Sequence, residues 1–346
     1  MTRDQLEALL AEWGEPRFRS KQLWTWLYEH KAGSFDEMTN LPKSLRARLA
    51  EETTLGTLTL ATERQSTDGT VKRVYQLSDG QLIESVLMPY RDGRRTACIS
   101  SQAGCAMGCA FCATGQMGFA RHLSSTEIFA QAATIARELA ERGERLSNVV
   151  LMGMGEPFHN YDNVMAAVRR LNTDLGIGAR HITISTVGIA PKIRQLATEG
   201  IQVTLAISLH AARDAERSAM MPVNRRWDLE ELLDAVREYQ AATNRRVTFE
   251  WALIAGKNDG LDEARSLGRL LQGLDAHVNL IPLNPTSGYD GAPTDPEQAA
   301  RFVAELERFG ISATVRVRRG IDVDAGCGQL KSEVLRRRRT PPEGAP

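Results

Sequence analysis

Three cysteines are the residues with the clearest chemistry in this sequence. Cys105, Cys109 and Cys112 share one short segment with the spacing CxxxCxxC. Structural zinc usually takes paired CxxC units that together supply four ligands, and this segment does not complete such a set. A [4Fe-4S] cluster normally takes four cysteines, so three would leave one iron free for a small molecule. The segment therefore predicts an iron–sulfur cluster, and the alternative is a chance grouping of buried cysteines.

Glycines and polar residues follow several of the predicted strands. The segment Met152–Pro157 contains glycines that allow a backbone to approach a ligand, and Glu156 offers a carboxylate or a carbonyl to an amine. Ser185, residues 208–210 and Asn284 also stand at or just past strand ends, where side chains face the mouth of a barrel. These positions predict a ligand site, although a tight turn or a helix N-cap would explain each one separately.

The composition is that of a globular protein without a charge bias. The 346 residues are 42% hydrophobic and 25% charged, and 43 basic residues balance 43 acidic ones. A neutral chain is not expected to coat nucleic acid through a general positive field, although local patches remain possible contacts. The candidate patches, each of which is by default a solvated surface, are Arg225–Arg226, Arg245–Arg246, Arg316–Arg319 and Arg336–Arg339.

Cysteine use and the first residues indicate the compartment. The start of the chain carries acidic residues and lacks the apolar core of a signal peptide. Five cysteines without an export signal favour a metal or catalytic use over a disulfide scaffold. Residues 96–120 contain no charge and are long enough for a membrane span, but their glycines and clustered cysteines favour a buried cofactor loop. We therefore expect a cytoplasmic protein.

The pattern of hydrophobic residues predicts four regions. Residues 1–52 show helical spacing, and residues 53–93 contain strands separated by Asp-Gly turns, which indicates a β extension. In residues 94–335 strands alternate with helices, which favours an α/β fold with parallel βα units curling into a barrel or part of one. The tail, residues 336–346, is rich in proline and is expected to be disordered.

The sequence resembles the radical S-adenosylmethionine (SAM) enzymes and, among them, the RlmN/Cfr family of RNA adenine methyltransferases. The resemblance covers most of residues 15–332 in the expected order. The matching stretches are Phe18–Trp24, Ser66–Thr70, Cys98–Cys112, Met152–Pro157, Ala206–His210, Asn279–Pro285 and Ala325–Leu330.

The resemblance implies a fold and two cofactors. The family places a partial (βα)6 TIM-like barrel behind a small N-terminal helical domain, with a β extension between them. Cys105, Cys109 and Cys112 would hold a [4Fe-4S] cluster, and two SAM molecules would be used in each turnover. The residues that would line the SAM site are Gly155, Glu156, Ser185, Ser208, Leu209, His210 and Asn284.

The resemblance also implies a covalent mechanism. Cys327 would carry a methyl group taken from one SAM, and a 5′-deoxyadenosyl radical from a second SAM would convert that group into a carbon radical that adds to adenine. Cys98 would then attack the sulfur of Cys327 and leave a transient disulfide. Glu84 matches the family's proton acceptor, although the spacer from Pro89 to Cys98 is about one residue longer than usual. A strand carboxylate facing solvent is the alternative for Glu84.

The partners implied are 23S rRNA and tRNA adenosine 37, with flavodoxin or ferredoxin as the electron donor; we expect a monomer that binds no membrane. The segment Phe18–Tyr28 favours the RlmN branch, which methylates adenine C2, over Cfr-type methylation of C8. An alternative of another class is a non-enzymatic iron–sulfur or zinc RNA-binding protein. Such a protein would need neither Cys98 nor Cys327.

Overall fold

The computed structural model describes residues 1–56, 58–284, 286 and 288–323. Its α-helices are α1 (Arg3–Glu12), α2 (Phe18–Trp24), α3 (Lys43–Glu52), α4 (Ala113–Gln116), α5 (Ser125–Glu141), α6 (Tyr161–Thr173), α7 (Ala190–Ala197), α8 (Asp214–Met220), α9 (Leu229–Thr243), α10 (Leu261–Leu270) and α11 (Pro296–Glu307). Its strands are β1 (Thr59–Gln65), β2 (Val71–Gln76), β3 (Leu82–Pro89), β4 (Arg95–Cys98), β5 (Gln102–Gly104), β6 (Phe119–His122), β7 (Asn148–Leu151), β8 (Ile182–Thr186), β9 (Thr204–Ser208), β10 (Val247–Leu253), β11 (Ala276–Pro282) and β12 (Ser312–Val315).

One large sheet organises the molecule. It has ten strands in the order β1-β2-β3-β4-β7-β8-β9-β10-β11-β12. Strands β1 to β4 pair antiparallel, whereas β4 and β7 to β12 pair in parallel. The predicted partial barrel is therefore confirmed, and β12 adds one parallel strand to the six expected. A two-stranded hairpin of β5 and β6, which the sequence analysis did not predict, carries the cysteine segment between its strands.

Alternating side chains explain why the strands form a barrel with helices outside. In β8, Ile182, Ile184 and Thr186 are buried, whereas Thr183 and Ser185 are half-buried. The apolar residues of the strands join the apolar faces of the helices in one core cluster. The polar residues between them face the barrel interior, because neighbouring side chains in a strand point to opposite faces. The order of elements thus places serines and acidic residues inside the barrel.

Helix α5 begins with a capping box formed by Ser124 and Glu127. Ser124 accepts a hydrogen bond from the backbone N–H of Glu127, and the Glu127 side chain accepts one from the Ser124 backbone. This reciprocal capping box satisfies two backbone donors that the first turn of a helix would otherwise leave unpaired. Helix α5 is therefore fixed at its start, immediately after the β5–β6 hairpin that carries the cysteines.

The N-terminal helices have a core of their own. Leu6, Leu10 and Leu23 pack with residues of α3 and of the loop before it. Arg170 of α6 connects this core to the barrel, since its guanidinium donates to Tyr28 Oη over 2.9 Å and lies 3.9 Å from the centre of the Phe129 ring. A cation above an aromatic face adds a favourable electrostatic contact to the packing. The helical region therefore rests on the outer helices of the barrel.

The boundary expected near residue 93 does not interrupt the sheet. Strand β3 pairs with β4 from Val86–Cys98 to Pro89–Arg95, so the β extension and the barrel share one continuous sheet. The division at residues 52, 93 and 335 stays a prediction, and the tail from 336 lies outside the described residues.

Among the described residues, no helix combines the length and apolarity needed to cross a membrane. Residues 96–120, which carry no charge, form short strands, loops and the short helix α4.

Candidate active site

A cavity of about 270 Å³ lies at the carboxyl ends of the parallel strands. This is where barrels of parallel strands place their ligands. It is lined by residues of the cysteine segment and by residues at the ends of β7 to β9 and on β10 and β11. Its lining residues include Cys105, Cys109, Cys112, Gly153, Gly155, Glu156, Ser185, Thr186, Ser208, His210 and Glu250.

The three predicted ligand cysteines face this cavity together. Burial raises the pKa of Cys105 to about 12, and it raises the pKa of Cys109 further. The neighbouring thiols also raise both pKa values, because thiolates close to one another repel. Such thiols stay protonated unless a cation binds them, so the donor set suits a cationic iron–sulfur group. No three His, Cys, Asp or Glu side chains of the described ranges converge on the position of a single metal ion.

The glycines after β7 lie so close to neighbouring protein atoms that a side chain would not fit at their positions. Gly155 has a φ of 98°, and a Cβ at this position would lie 2.5 Å from Cβ of Gln102. A Cβ on Gly153 would lie 2.8 Å from the backbone carbon of Ile99. The segment therefore packs directly on the chain that leads into the cysteine loop. Gln102 holds the two together, since its Oε1 accepts from the Glu156 N–H over 2.8 Å.

The Glu156 carboxylate is buried and bonded to the next strand. Its Oε1 accepts from Thr186 Oγ1 over 2.6 Å and from the Phe158 N–H over 2.9 Å, and its Oε2 accepts from the Val187 N–H over 2.8 Å. Burial raises the pKa of Glu156 to about 7, although these three bonds oppose the shift. Glu156 thus ties the end of β7 to the end of β8 beside the thiols.

The predicted ligand residues at the ends of β8 and β9 differ in whether their side chains reach the cavity. Ser185 and Ser208 line the cavity, whereas the Leu209 side chain is buried in the core. His210 also lines the cavity and adopts a φ of 61°, which is uncommon for a residue other than glycine. Its Nδ1 accepts from the Ala252 N–H over 2.9 Å, and burial lowers the pKa of His210 to about 3. Asn284 lines an adjoining cavity that shares His210.

Arg217 is a buried residue that the sequence analysis missed. Its guanidinium donates to the carbonyl oxygens of Val187, Ser208 and Leu209 over 2.7, 3.2 and 3.2 Å. Burial lowers the pKa of Arg217 to about 10, and the charge of Cys109 opposes that shift. Because it binds the carbonyls that follow two neighbouring strands, Arg217 fixes the rim of the cavity. In the sequence, Arg217 could not be told from a surface arginine, because it lies in a short helix with other charged residues.

Glu250 is a second residue of the cavity that the sequence analysis did not select. It lies in the middle of β10, is 3% exposed and stands in register with Ser208 on one side and Asn279 on the other. Burial raises its pKa, while the charge of Arg316 and a hydrogen bond from Asn279 act in the opposite direction. Side chains alternate between the two faces of a strand, so an acidic residue can face the barrel interior. Which face of β10 is the interior one became evident only from its register with β9 and β11.

Cys98 and Glu84 lie on neighbouring strands at one side of the barrel. Cys98 stands in register with Val86 of β3, two residues beyond Glu84. Burial raises the pKa of Cys98 to about 11, whereas the charges of Arg316 and Lys72 lower it. Glu84 is 3% exposed, so the alternative of a carboxylate facing solvent is wrong. Its Oε2 lies 3.2 Å from Nζ of Lys72, a buried partner that the sequence analysis did not identify.

Cys327 lies outside the described residues. The chain that leads to it is held at Gly320–Asp322, where Asp322 accepts from Ser66 Oγ and the Thr67 N–H over 2.5 and 3.0 Å. The Gly320 N–H in turn donates to Asp68 Oδ2 over 3.0 Å. The stretch Ser66–Thr70 is therefore a turn that binds residues 320–322, which precede Cys327 by five to seven positions in the sequence.

Comparison with known proteins assigns both parts of the chain. Residues 99–267 match the family model described as the radical SAM superfamily. Residues 1–55 match the model described as the ribosomal RNA large subunit methyltransferase N-terminal domain. The first match contains the cysteine segment and strands β7 to β10, and the second contains α1 to α3.

Relatives match along nearly the whole chain. A dual-specificity RNA methyltransferase RlmN 1 from Myxococcus xanthus is 54% identical over 98% of this chain and 95% of its own. A probable dual-specificity RNA methyltransferase RlmN from Staphylococcus aureus is 47% identical over 95% of this chain and 91% of its own. The crystal structure of a radical SAM methyltransferase from Sphaerobacter thermophilus superposes with a TM-score of 0.91 at 49% identity, covering 95% of this chain and 97% of that one. The chain belongs to the RlmN family of radical SAM RNA methyltransferases.

Proposed function

We propose that this enzyme methylates C2 of an adenosine in 23S rRNA and of adenosine 37 in tRNAs. One observation carries the proposal: Cys105, Cys109 and Cys112 share a cavity with Glu156 and His210, and Cys98 ends the first barrel strand. A non-enzymatic iron–sulfur or zinc protein that binds RNA would not need this arrangement. Family membership also favours C2 methylation over the Cfr-type reaction at C8.

The described residues fit the two cofactors of the radical SAM superfamily. The three thiols would hold a [4Fe-4S] cluster, and the positions that would bind SAM are Gly155, Glu156, Ser185, Ser208, Leu209, His210 and Asn284. Leu209 would contribute its backbone, since its side chain is buried in the core. When bound, the cofactors supply the one-electron chemistry that delivers a carbon radical to an electron-poor ring carbon.

The chain's own residues would then manage the covalent steps. Cys327, as a thiolate, would take a methyl group by displacement and carry it to the base. Glu84 would accept the proton that leaves the ring carbon. The thiolate of Cys98 would attack the sulfur of Cys327 and form a disulfide. The electron pair of the broken carbon–sulfur bond would stay on the carbon, which gains a proton to complete the new methyl group. The position of Cys98 at the inner end of β4, with two cationic side chains nearby, supports this role.

Substrate and partner assignments complete the proposal. The helical domain of residues 1–52 would contact RNA, the β extension of residues 53–93 would join it to the barrel of residues 94–335, and a flavodoxin or ferredoxin would supply electrons. The enzyme would act as a cytoplasmic monomer. The match of residues 1–55 to a ribosomal RNA methyltransferase domain supports the RNA contact.

The decisive test is a mass spectrum of nucleosides after reaction. The reconstituted enzyme is incubated with SAM, dithionite and either 23S rRNA or tRNA, and the RNA is digested. We expect 2-methyladenosine from both RNAs, together with 5′-deoxyadenosine. Formation of 8-methyladenosine would overturn the C2 assignment, and the absence of 5′-deoxyadenosine would overturn the radical reaction.

A further inference from the structure

Glu250 lines the cavity and has one buried carboxylate oxygen without a donor among the described residues. Its Oε1 accepts from Asn279 Nδ2 over 3.0 Å, whereas its Oε2 is buried and accepts no hydrogen bond from any residue that the structure describes. Leaving a buried polar atom unpaired is costly, so such an atom inside a ligand cavity indicates a missing donor. The catalytic roles proposed above do not use this carboxylate.

A chain of hydrogen bonds across the barrel fixes the orientation of Glu250. Thr314 Oγ1 donates to Asn279 Oδ1 over 2.9 Å, which leaves the Asn279 amide N–H directed at the carboxylate. His277 Nε2 lies 3.0 Å from Thr314 Oγ1, and its Nδ1 lies 2.8 Å from Ser312 Oγ. Since Thr314 uses its proton toward Asn279, His277 donates from Nε2 and accepts at Nδ1.

Every donor in this chain therefore points toward Glu250. Ser312 donates to His277, His277 to Thr314, Thr314 to Asn279, and Asn279 to Oε1. Cooperative chains of this kind hold their members more firmly than isolated pairs do. The carboxylate cannot turn its free oxygen away without breaking the bond from Asn279. Oε2 is thus a pre-positioned acceptor on β10, between Ser208 at the end of β9 and Asn279 in the middle of β11.

We propose that Glu250 binds the ribose hydroxyl groups of SAM and so positions the nucleoside in the cavity. This inference rests on the proposed function and names a residue beyond those assigned to the SAM site. A carboxylate oxygen with free lone pairs suits a vicinal diol, whose two hydroxyls donate side by side. Ser208, in register with Glu250 and also lining the cavity, stands on the neighbouring strand beside the same position.

Two other groups of SAM donate hydrogen bonds but fit this position less well. The α-amino group would lie at the opposite end of the ligand, beside the thiols and the Gly155–Glu156 segment. The adenine amino group is separated from the sulfonium by the whole nucleoside, whereas the ribose is one carbon from it. Glu250 shares one cavity with all three thiols, so the hydroxyls nearest the sulfonium are the donors expected to meet Oε2.

The test compares SAM with its 2′-deoxy and 3′-deoxy analogues as ligands of the reconstituted protein, with the Kd measured by equilibrium dialysis. Glu250→Gln keeps the shape of the side chain and an oxygen for Asn279, but it replaces the free acceptor with a donor. The matched control is Glu230→Gln, on the exposed face of α9. Iron content and visible absorbance show whether each variant is folded and loaded.

We expect Glu250→Gln to weaken SAM binding about tenfold or more, as for a lost hydrogen bond to a charged group. At least one deoxy analogue should bind wild type correspondingly weakly and should lose little further affinity in the variant. Unchanged SAM affinity in a loaded Glu250→Gln protein would overturn the inference alone. Equal binding of SAM and both analogues by wild type would overturn the ribose assignment, while failure of loaded wild type to bind SAM would overturn the proposed function itself.

Discussion

Ser66 donates from Oγ to Oδ1 of Asp322 over 2.5 Å, although 256 positions separate the two residues in the sequence. The bond joins the β1–β2 turn to the segment that leads toward Cys327. Hydrogen bonds from Ser66 and Thr67 lower the pKa of Asp322. Although burial opposes it, bonds from Thr70 and Gly320 lower the pKa of Asp68 to about 2.

Weakening the hydrogen bonds from Ser66 and Thr67 to Asp322 should release the C-terminal segment. Asp322→Asn can accept one of the two hydrogen bonds but loses the charge, so trypsin cleavage after Arg318 or Arg319 should accelerate about threefold or more. The control is Asp92→Asn, whose carboxylate binds only Arg94 within its own turn. The pKa of Asp322 and that of Asp68 are lowered in the folded protein, so their ionised carboxylates stabilise the folded state at any pH above the pKa of the unfolded chain. The hydrogen bonds to these carboxylates should therefore persist in neutral buffer and be lost only in acid. An identical digestion rate for Asp322→Asn and wild type would contradict this account.

The buried pair of Lys72 and Glu84 should affect stability and product formation differently. Lys72→Met leaves the Glu84 carboxylate buried without its ammonium partner and should lower the free energy of unfolding by about 3–5 kcal/mol, measured in urea. The double variant Lys72→Met/Glu84→Gln should recover part of that loss. Glu84→Gln alone should keep SAM cleavage but yield no methylated RNA. Normal product from loaded Glu84→Gln would exclude Glu84 as the proton acceptor.

The two isolated cysteines should fail in different ways. Cys327→Ala removes the methyl carrier, so neither methylated protein nor methylated RNA should form. Cys98→Ala keeps the cluster and the radical addition but cannot break the bond to Cys327, so a covalent protein–RNA adduct should accumulate. The adduct would appear as nucleic acid that stays with the protein through denaturing gel electrophoresis. Full turnover by Cys98→Ala without adduct would reduce Cys98 to a packing residue of β4.

The resolving step should depend on pH. Burial raises the pKa of Cys98 to about 11, so the thiol form dominates near neutrality and the thiolate fraction rises tenfold with each pH unit well below that value. In single-turnover reactions, the rate of adduct release should therefore increase with pH between about 7 and 9. Arg316→Met removes a charge that lowers this pKa and should slow release further at a given pH. A flat profile would show that thiolate formation does not limit release.

The cluster ligands can be tested without turnover. Anaerobically reconstituted protein should hold about four iron and four sulfide per chain. Cys109→Ala should lose the visible absorbance of the cluster, and Cys98→Ala is the matched control because Cys98 lies outside the CxxxCxxC segment. A full cluster in Cys109→Ala would contradict the ligand assignment.

The basic segment Arg316–Arg319 should contribute to RNA binding through Arg318. Arg316 acts electrostatically on Cys98 and Glu250, and Arg319 donates to the Pro89 carbonyl over 2.8 Å, whereas Arg318 is exposed. Arg318→Ala should weaken RNA binding and lower the salt dependence of log K by about one unit, since a phosphate contact releases counterions. Arg269→Ala on α10 serves as the surface control. An unchanged salt slope would show that Arg318 makes no phosphate contact, and α1–α3 would then be the next candidates for the RNA contact.

The sequence by itself determined the features that depend on neighbouring residues. The CxxxCxxC spacing, the Ser124–Glu127 capping box and the Asp-Gly turns were readable because each is a short local pattern. The alternation of strands and helices predicted the barrel for the same reason, since hydrophobic periodicity is local.

Only the tertiary structure decided which distant side chains meet. Strand register brings together Lys72 and Glu84, and it also aligns the series from Ser312 to Glu250. A shift of one residue in that register would turn every side chain of a strand to the other face. Ser66 and Asp322 meet because the β1–β2 turn packs against the C-terminal segment. Register depends on packing summed over the whole sheet, which no single segment encodes. Glu250 and Arg217 therefore looked like ordinary charged residues in the sequence, and burial inside the barrel is what gives them their place at the active site.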